Sequence, residues 1–185
     1  MRIIAGEFRG RALASVGKGD AAAHLRPTAD RVRESLFSVL THLDVIEGAQ
    51  VLDLFAGTGA LGLEALSRGA AKATFVDSGR VAQGLIAKNI ALTGTAARAS
   101  LLKREAARIG PNPGLPCTLV FLDPPYGLDM GGPALQAAAR EGWIAPGALI
   151  VWEEKSAQHA PESYDLQDAR RYGDTWVTLL WKVDA

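Results

Sequence analysis

From residue 50 onward the chain alternates short apolar runs with segments of helical periodicity, and this alternation most limits the folds open to it. The apolar runs, which are typical of strands, are 51–55, 73–76, 101–102, 118–122 and 148–152. The helical segments are 60–68, 80–92, a short turn after 102, and 133–140. Because strand–helix repetition places successive strands side by side in one direction, the pattern predicts an α/β fold with a mainly parallel sheet covered on both faces.

The C-terminal end departs from this alternation. Residues 166–172 and 175–182 flank Gly173-Asp174 as the strands of a hairpin flank their turn. We therefore expect the parallel sheet to carry an antiparallel hairpin at one edge.

The N-terminal end differs too. Residues 1–16 are interpreted as two short extended pieces around Gly10, and a Gly/Ala-rich linker follows. Pro27-Thr28 then opens a helix, with Thr28 as its predicted N-cap. At 185 residues the chain needs only one compact unit. We expect one domain, with a hairpin appendage and linker over 1–24 and a catalytic core over 25–185.

Composition limits the function classes. Twenty Lys and Arg balance twenty Asp and Glu, so no net positive field attracts nucleic acid. Residues 1–40 nevertheless hold seven cations and four acids, which is either ordinary surface charge or a local RNA contact. Cys117 lies in an apolar run and is expected in the core, and the three histidines lack metal-ligand spacing, so we expect no metal. With neither a signal-peptide pattern nor a membrane span, we expect a cytoplasmic protein without membrane contact.

A glycine-rich loop follows the first predicted strand, in the sequence Asp53-Leu-Phe-Ala-Gly57-Thr-Gly59-Ala-Leu-Gly62. Its glycines allow a sharp turn and close approach to a ligand at the sheet edge. The spacing also fits a dinucleotide site, with Asp77 in the place of a ribose-binding carboxylate or of a helix N-cap. Asp53 favours S-adenosylmethionine over NAD, because the methionine moiety carries an ammonium that a carboxylate attracts.

A second motif, Asp123-Pro-Pro-Tyr126, follows the buried run 118–122. Pro124 and its neighbour stiffen the turn and remove backbone donors, which leaves a site rich in acceptors. Asp123 and a main-chain carbonyl are expected to accept the two hydrogens of a base amino group, and Tyr126 offers a face on which the base stacks. The alternative is a proline-stiffened surface turn without a ligand.

Together these two motifs resemble the class I adenosylmethionine-dependent amino-methyltransferases of DNA and RNA. The segments 1–11, 25–37 and 59–70 resemble the RsmD-type 16S rRNA guanine-N2-methyltransferases, and the resemblance covers nearly the whole chain. It implies a seven-stranded, Rossmann-like methyltransferase sheet with an N-terminal β-hairpin that helps to grip RNA. It also implies methylation of a guanine N2 in 16S rRNA, on the small ribosomal subunit or an assembly intermediate, by a monomer.

The resemblance also implies roles for individual residues. S-adenosylmethionine, released as S-adenosylhomocysteine, is expected to contact Asp53, Phe55, Gly57, Gly59, Asp77, Arg26 and Thr28. Glu105 stands where the family usually has an Asp near the adenine, and it is otherwise a solvated acid at a helix start. The expected catalytic residues are Asp123, Pro124 and Tyr126, and the expected RNA contacts are Arg2, Arg9, Arg11 and Arg31.

Three alternative functions remain open from the sequence. The same four-residue motif serves N6-adenine methylation of DNA or RNA. The glycine spacing and Asp77 also suit an NAD-dependent oxidoreductase, although that function leaves Asp123-Pro-Pro-Tyr126 without a role. A catalytically idle RNA-binding protein is the third possibility.

Overall fold

A computed structural model describes residues 1–16 and 29–183 of the protein. Its elements in chain order are α1 (Asp30–His42), β1 (Gln50–Leu54), α2 (Ala60–Ser67), β2 (Lys72–Val76), α3 (Arg80–Thr93), β3 (Ala99–Leu102), a 3₁₀ turn (Ala106–Arg108), β4 (Cys117–Leu122), α4 (Gly131–Arg140), β5 (Ile144–Glu154), β6 (Tyr164–Tyr172) and β7 (Thr175–Lys182). The strands form one seven-stranded sheet in the order β3-β2-β1-β4-β5-β7-β6. The predicted α/β fold is therefore confirmed.

Strands β1 to β5 run parallel, and β7 pairs antiparallel with both β5 and β6. The predicted C-terminal hairpin is thus present, and Gly173 supplies the positive φ (61°) that its tight turn uses. The predicted strands differ from the observed ones mainly in length. Strand β5 is the largest case, because it spans 144–154 and not only the apolar run 148–152.

The core lies on both faces of the sheet, since alternate residues of each central strand point to opposite sides. In β1, Val51 packs into the cluster that contains α1 and α2, whereas Leu52 and Leu54 pack into the cluster that contains α4. Cys117 is buried in the second cluster, as expected. Burial on both faces is the reason that the parallel strands read as nearly continuous apolar runs.

The N-terminal segment, which was predicted as a hairpin appendage, packs into this core. Ile3, Phe8 and Leu13 are buried in the same apolar cluster as residues of α1 and α2. The segment is hairpin-like, but its strand pairing is limited to one antiparallel bridge between Arg2 and Ala12. The turn extends over residues 5–10, so it is broader than a turn at Gly10 alone.

Two side chains of α2 hold this segment in place. The Glu64 carboxylate accepts the backbone N–H groups of Ile4 and Ala5 at 2.8 and 3.1 Å. The Ser67 hydroxyl donates to the Ala5 carbonyl at 2.6 Å and accepts the N–H of Phe8 at 2.9 Å. Hydrogen bonds to a charged carboxylate are the stronger kind, so the segment is fixed by more than apolar packing.

Helix α1 begins at Asp30, with Ala29 at the N-cap position and no side-chain cap. The predicted N-cap at Thr28 is therefore one residue too early, and Thr28 itself lies outside the described residues. Arg33, one of the seven cations of residues 1–40, is fully buried. It pairs with Asp30 at 3.1 Å and lies 3.8 Å from Glu64. Over residues 1–16 and 29–183, no helix is long and apolar enough to cross a membrane.

Candidate active site

The strands that surround β1 end level with one another at one edge of the sheet. Leu54 is paired with both Val76 and Leu122, and Leu122 is paired with Trp152. The next residue along each chain segment is Phe55, Asp77, Asp123 or Glu153. Phe55, Asp77 and Asp123 therefore follow three neighbouring strands, and Glu153 lies level with them near the end of β5. Ligands bind at this edge in open parallel sheets.

A cavity of about 780 Å³ opens at this edge. Eight of the residues predicted from the sequence line it: Asp53, Phe55, Gly57, Asp77, Glu105, Asp123, Pro124 and Tyr126. Gly59 lies in the same loop without lining the cavity, and Arg26 and Thr28 lie outside the described residues. The two motifs thus form one site, and its volume is in the range of small-molecule sites in proteins.

Positive φ values shape the loop after β1. Phe55, Gly57 and Gly59 have φ of 60°, 61° and 77°. Such a conformation is uncommon for an aromatic residue, and it persists only where the surrounding structure enforces it. The strained residue, Phe55, lies in the cavity lining.

Two side chains outside the loop hold it. The Asp77 carboxylate accepts the Gly57 N–H at 2.9 Å through one oxygen and the Gly79 N–H at 2.8 Å through the other. The Asn89 amide donates to the Thr58 carbonyl at 2.9 Å. Gly79, and not Asp77, occupies the N-cap position of α3, so Asp77 is a loop brace more than a helix cap.

Asp53 lies beneath the loop and is almost fully buried, with 1% of its surface exposed. It accepts the backbone N–H of Gly62 at 3.0 Å. Burial raises the pKa of Asp53 to about 8, against the hydrogen bond from Gly62, which lowers it. The charge of the nearby Asp77 raises the pKa further. The site therefore favours a cationic ligand that would stabilise the ionised form of Asp53.

Asp123 begins the second half of the site. Burial raises its pKa well above the usual range, and the neighbouring carboxylates of Glu153 and Asp53 raise it further. Pro124, directly after it, is buried and carries no N–H. Pro124 and Pro125 therefore contribute carbonyl acceptors but no backbone N–H donors to this half of the cavity.

Tyr126 is joined to β5 and β7 by its hydroxyl. The hydroxyl donates to Glu153 Oε1 at 3.0 Å and lies 2.7 Å from Thr175 Oγ1. Burial raises the pKa of Tyr126, so the phenol stays protonated and acts as a donor at neutral pH. Burial also raises the pKa of Glu153, which the hydrogen bond from Tyr126 opposes.

Glu105 lies at the cavity lining with a side chain that is 58% exposed. Its carboxylate is 3.5 Å from Arg108, one turn later. An exposed pair of this kind contributes little to stability, which leaves the side chain available to a ligand. Its contact with the adenine stays a prediction.

The arginines expected to bind RNA are all exposed, but they are not equivalent. Arg2 and Arg9 line one small surface cavity of about 200 Å³. Arg11 donates to the Leu92 carbonyl at 2.8 Å and lies over the Phe8 ring, so it also has a structural role. Arg31 is exposed on α1.

Glu153 and the N-terminal residues Met1, Ser15 and Val16 also line the cavity but were not predicted from the sequence, and neither was the support that Asn89 gives to the loop. A signal for Glu153 was present, because it follows the apolar run 148–152 as Asp123 follows 118–122. The role of Asn89 depends on long-range packing that has no local signature. Within the described ranges, no group of three or more His, Cys, Asp or Glu side chains could hold a metal ion.

Comparison with known proteins identifies the family. The model of the family described as "Conserved hypothetical protein 95" matches residues 1–181. The chain belongs to this family. The ribosomal RNA small subunit methyltransferase D of Escherichia coli K12 is 41% identical over 161 residues, covering 87% of this chain and 78% of that protein. The protein of the same name from Haemophilus influenzae is 34% identical over 178 residues, covering 94% and 89%.

Solved structures agree with this assignment. The Escherichia coli protein yhhF is 38% identical and superposes with a TM-score of 0.85, covering 100% of this chain and 99% of that one. TrmN of Thermus thermophilus, at 23% identity, shares the fold with a TM-score of 0.64 over 82% of this chain and 48% of its own. The expected class I methyltransferase fold and the RsmD-type resemblance are confirmed, and this family member is a methyltransferase.

Proposed function

We propose that this protein transfers a methyl group from S-adenosylmethionine to the exocyclic N2 of a guanine in 16S rRNA, on the small ribosomal subunit or an assembly intermediate. The observation that carries the proposal is the row of Asp77, Asp123 and Glu153 beside the glycine loop in one cavity. The names of the relatives, small-subunit rRNA methyltransferases, support the choice of substrate.

The residues of the loop half fit this cofactor. Asp77 presents two carboxylate oxygens, each with a lone pair beyond the one that holds Gly57 or Gly79. They would accept the ribose hydroxyls. The ionised form of Asp53 would pair with the cationic methionine moiety, and Phe55 and Glu105 would flank the adenosine. When bound, S-adenosylmethionine supplies a methyl carbon activated by the positive sulfonium and leaves as S-adenosylhomocysteine.

The acidic half would hold the base. A base amino group is a poor nucleophile because its lone pair is delocalised into the ring, so the protein must orient it. Asp123 accepts one amino hydrogen, and a carbonyl of the Asp123-Pro-Pro-Tyr126 turn, which has no proline N–H to compete for it, accepts the other. The ring of Tyr126 supports the base, which leaves the helix stack to reach the cavity.

Charge balance requires one proton to leave the amino nitrogen once its bond to the methyl carbon has formed. Asp123 would receive that proton as a carboxylate. In the free protein its raised pKa favours the neutral form, but a cationic cofactor beside it favours ionisation. With the cofactor bound, Asp123 would therefore be ionised and able to accept the proton.

RNA would reach the cavity across the N-terminal segment. Arg2 and Arg9, which line one surface cavity, would bind phosphates, with further contacts from Arg11 and Arg31. The same segment lines the active site through Met1 and Ser15. The segment would thus connect the RNA surface with the reaction cavity.

Methyl-labelled S-adenosylmethionine and unmodified small subunits test the proposal. We expect label in the 16S rRNA, and cofactor binding with a 1:1 stoichiometry by calorimetry. Naked 16S rRNA and duplex DNA serve as comparison substrates. Cofactor binding without transfer to any RNA or DNA would contradict the proposal and favour a binding protein, whereas transfer to DNA alone would favour the N6-adenine alternative.

A further inference from the structure

Glu153 is a buried acid that has no role in the proposed mechanism of transfer. It follows Trp152 in β5, as Asp123 follows the paired Leu122 in β4, so the two carboxylates are neighbours at the sheet edge. It lines the cavity and is 8% exposed. Its position beside the amino-group site is one that a second group of the base would reach.

The orientation of Glu153 is fixed. Its Oε1 accepts the hydroxyl of Tyr126, and that hydroxyl is held in turn by Thr175. Ordering a long acidic side chain costs conformational entropy at the moment of binding unless the protein has already ordered it. Glu153 is therefore ordered before any base enters.

The two purines differ at the ring atom next to the reacting amino group. In guanine, N2 is flanked by N1–H, a donor. In adenine, N6 is flanked by an unprotonated N1, an acceptor. Two adjacent carboxylates complement the two adjacent donors of guanine, whereas a carboxylate facing the N1 of adenine meets a second acceptor in a site that is largely closed to water.

We infer that Glu153 accepts the N1–H of the target guanine and thereby makes the enzyme select guanine over adenine. The inference rests on the proposed function, because it assigns base selection to the same cavity. Glu153 is a specificity-determining residue in this account, while Asp123 acts on the amino group itself. The strongest competing role is that Glu153 only holds Tyr126 in place.

The decisive substrate keeps the reacting amino group but lacks the N1–H beside it. 2-Aminopurine keeps the exocyclic 2-amino group, but its N1 carries no hydrogen and its O6 is absent. The position modified by the wild-type enzyme is first mapped, and 16S rRNA is then assembled by ligation with guanosine or 2-aminopurine riboside at that position. Single-turnover kcat/KM is measured for both after assembly into small subunits.

The wild-type enzyme should prefer guanine by about 10- to 100-fold, the value of one hydrogen bond to a charged group. Glu153→Ala should lower that ratio about tenfold or more, because the acceptor for N1–H is gone. Glu153→Gln keeps a carbonyl acceptor but loses the charge and gains an N–H that the unprotonated N1 of 2-aminopurine can accept, so it should lower the ratio as well. Glu154→Gln is the matched control, because this substitution removes the same charge one residue further on, at a side chain that does not line the cavity. It should keep the wild-type ratio.

The outcomes separate the inference from the proposed function. An unchanged guanine to 2-aminopurine ratio in both Glu153 variants, with slower transfer to both bases, would overturn the inference and leave Glu153 as a support for Tyr126. If the wild-type enzyme labels no guanine N2 at all, the proposed function itself fails. Cofactor affinity and thermal unfolding of each variant establish that the protein is folded.

Discussion

The two halves of the cavity are built from different materials. The loop after β1 relies on the backbone, with positive φ at Phe55 and Gly57 and with its amides held by Asp77. The half formed by the ends of β4 and β5 relies on side chains, with Asp123 and Glu153 both buried enough for their pKa values to rise. Backbone conformation therefore defines the first half, and the positions of acidic side chains define the second.

This difference teaches where each kind of mutation should act. A change in the backbone-built half alters the room for the cofactor and the packing beneath it, so it affects affinity and stability together. A change in the acidic half removes a group that touches the base, so it affects transfer and selectivity. The separation can be tested one residue at a time.

The largest effect is expected for Asp123→Ala. Loss of the group that orients the amino nitrogen and takes its proton should lower single-turnover transfer by about 10²- to 10⁴-fold. The cofactor Kd, measured by calorimetry, should change far less. Asp44→Asn, at an exposed residue outside the cavity whose left-handed backbone Asn tolerates, should keep near-wild-type transfer. Near-normal turnover of Asp123→Ala would remove Asp123 from the chemistry.

Gly62→Ala should act on the backbone-built half. A Cβ at this position would lie 2.4 Å from the Phe75 ring and 3.1 Å from Asp53 Oδ2, so the packing under the loop must shift. We expect a loss of about 1–3 kcal/mol in the free energy of unfolding and a weaker cofactor Kd. Gly84→Ala in α3, where nothing lies within 4 Å, should be neutral or stabilising in chemical denaturation. Equal stability of the two variants would contradict the tight packing.

The raised pKa of Asp53 predicts that cofactor binding is coupled to the release of a proton. Because its pKa in the free protein is about 8, it is mostly neutral at pH 6.5, and a cationic ligand favours its ionised form. Binding should therefore release a fraction of a proton at pH 6.5 and tighten as pH rises towards 8. Calorimetry in buffers of different ionisation enthalpy measures this release. Asp53→Asn should reduce it, and an unchanged release would assign the proton to another group.

The smallest effect is expected on the RNA surface. Arg9→Ala should reduce the slope of log Kd against log salt by about one unit, because one phosphate contact is lost. Arg140→Ala, at another exposed arginine on α4, is the control and should leave the slope unchanged. If both variants have the same slope as the wild-type protein, the N-terminal segment is not the electrostatic contact.

The sequence allowed the sheet, its hairpin edge and the two loops of the site to be predicted, because each has a local pattern: apolar runs, glycine spacing and a proline pair. The hydrogen bonds by which Glu64 and Ser67 hold the N-terminal segment have no such pattern. Glu64 is 60 residues from the Ile4 amide that it binds, and the burial of Arg33 depends on the same carboxylate. Glu153 also follows an apolar run, but no proline pair or glycine spacing comes after it to mark it as part of a site.

Nucleoside analysis of the labelled product tests the central claim most directly. Small subunits lacking the modification are incubated with the enzyme and methyl-labelled S-adenosylmethionine, and their 16S rRNA is digested to nucleosides. The account predicts that the label is recovered as N2-methylguanosine. Label in N6-methyladenosine would contradict it, and would show that the acidic half of the cavity receives adenine.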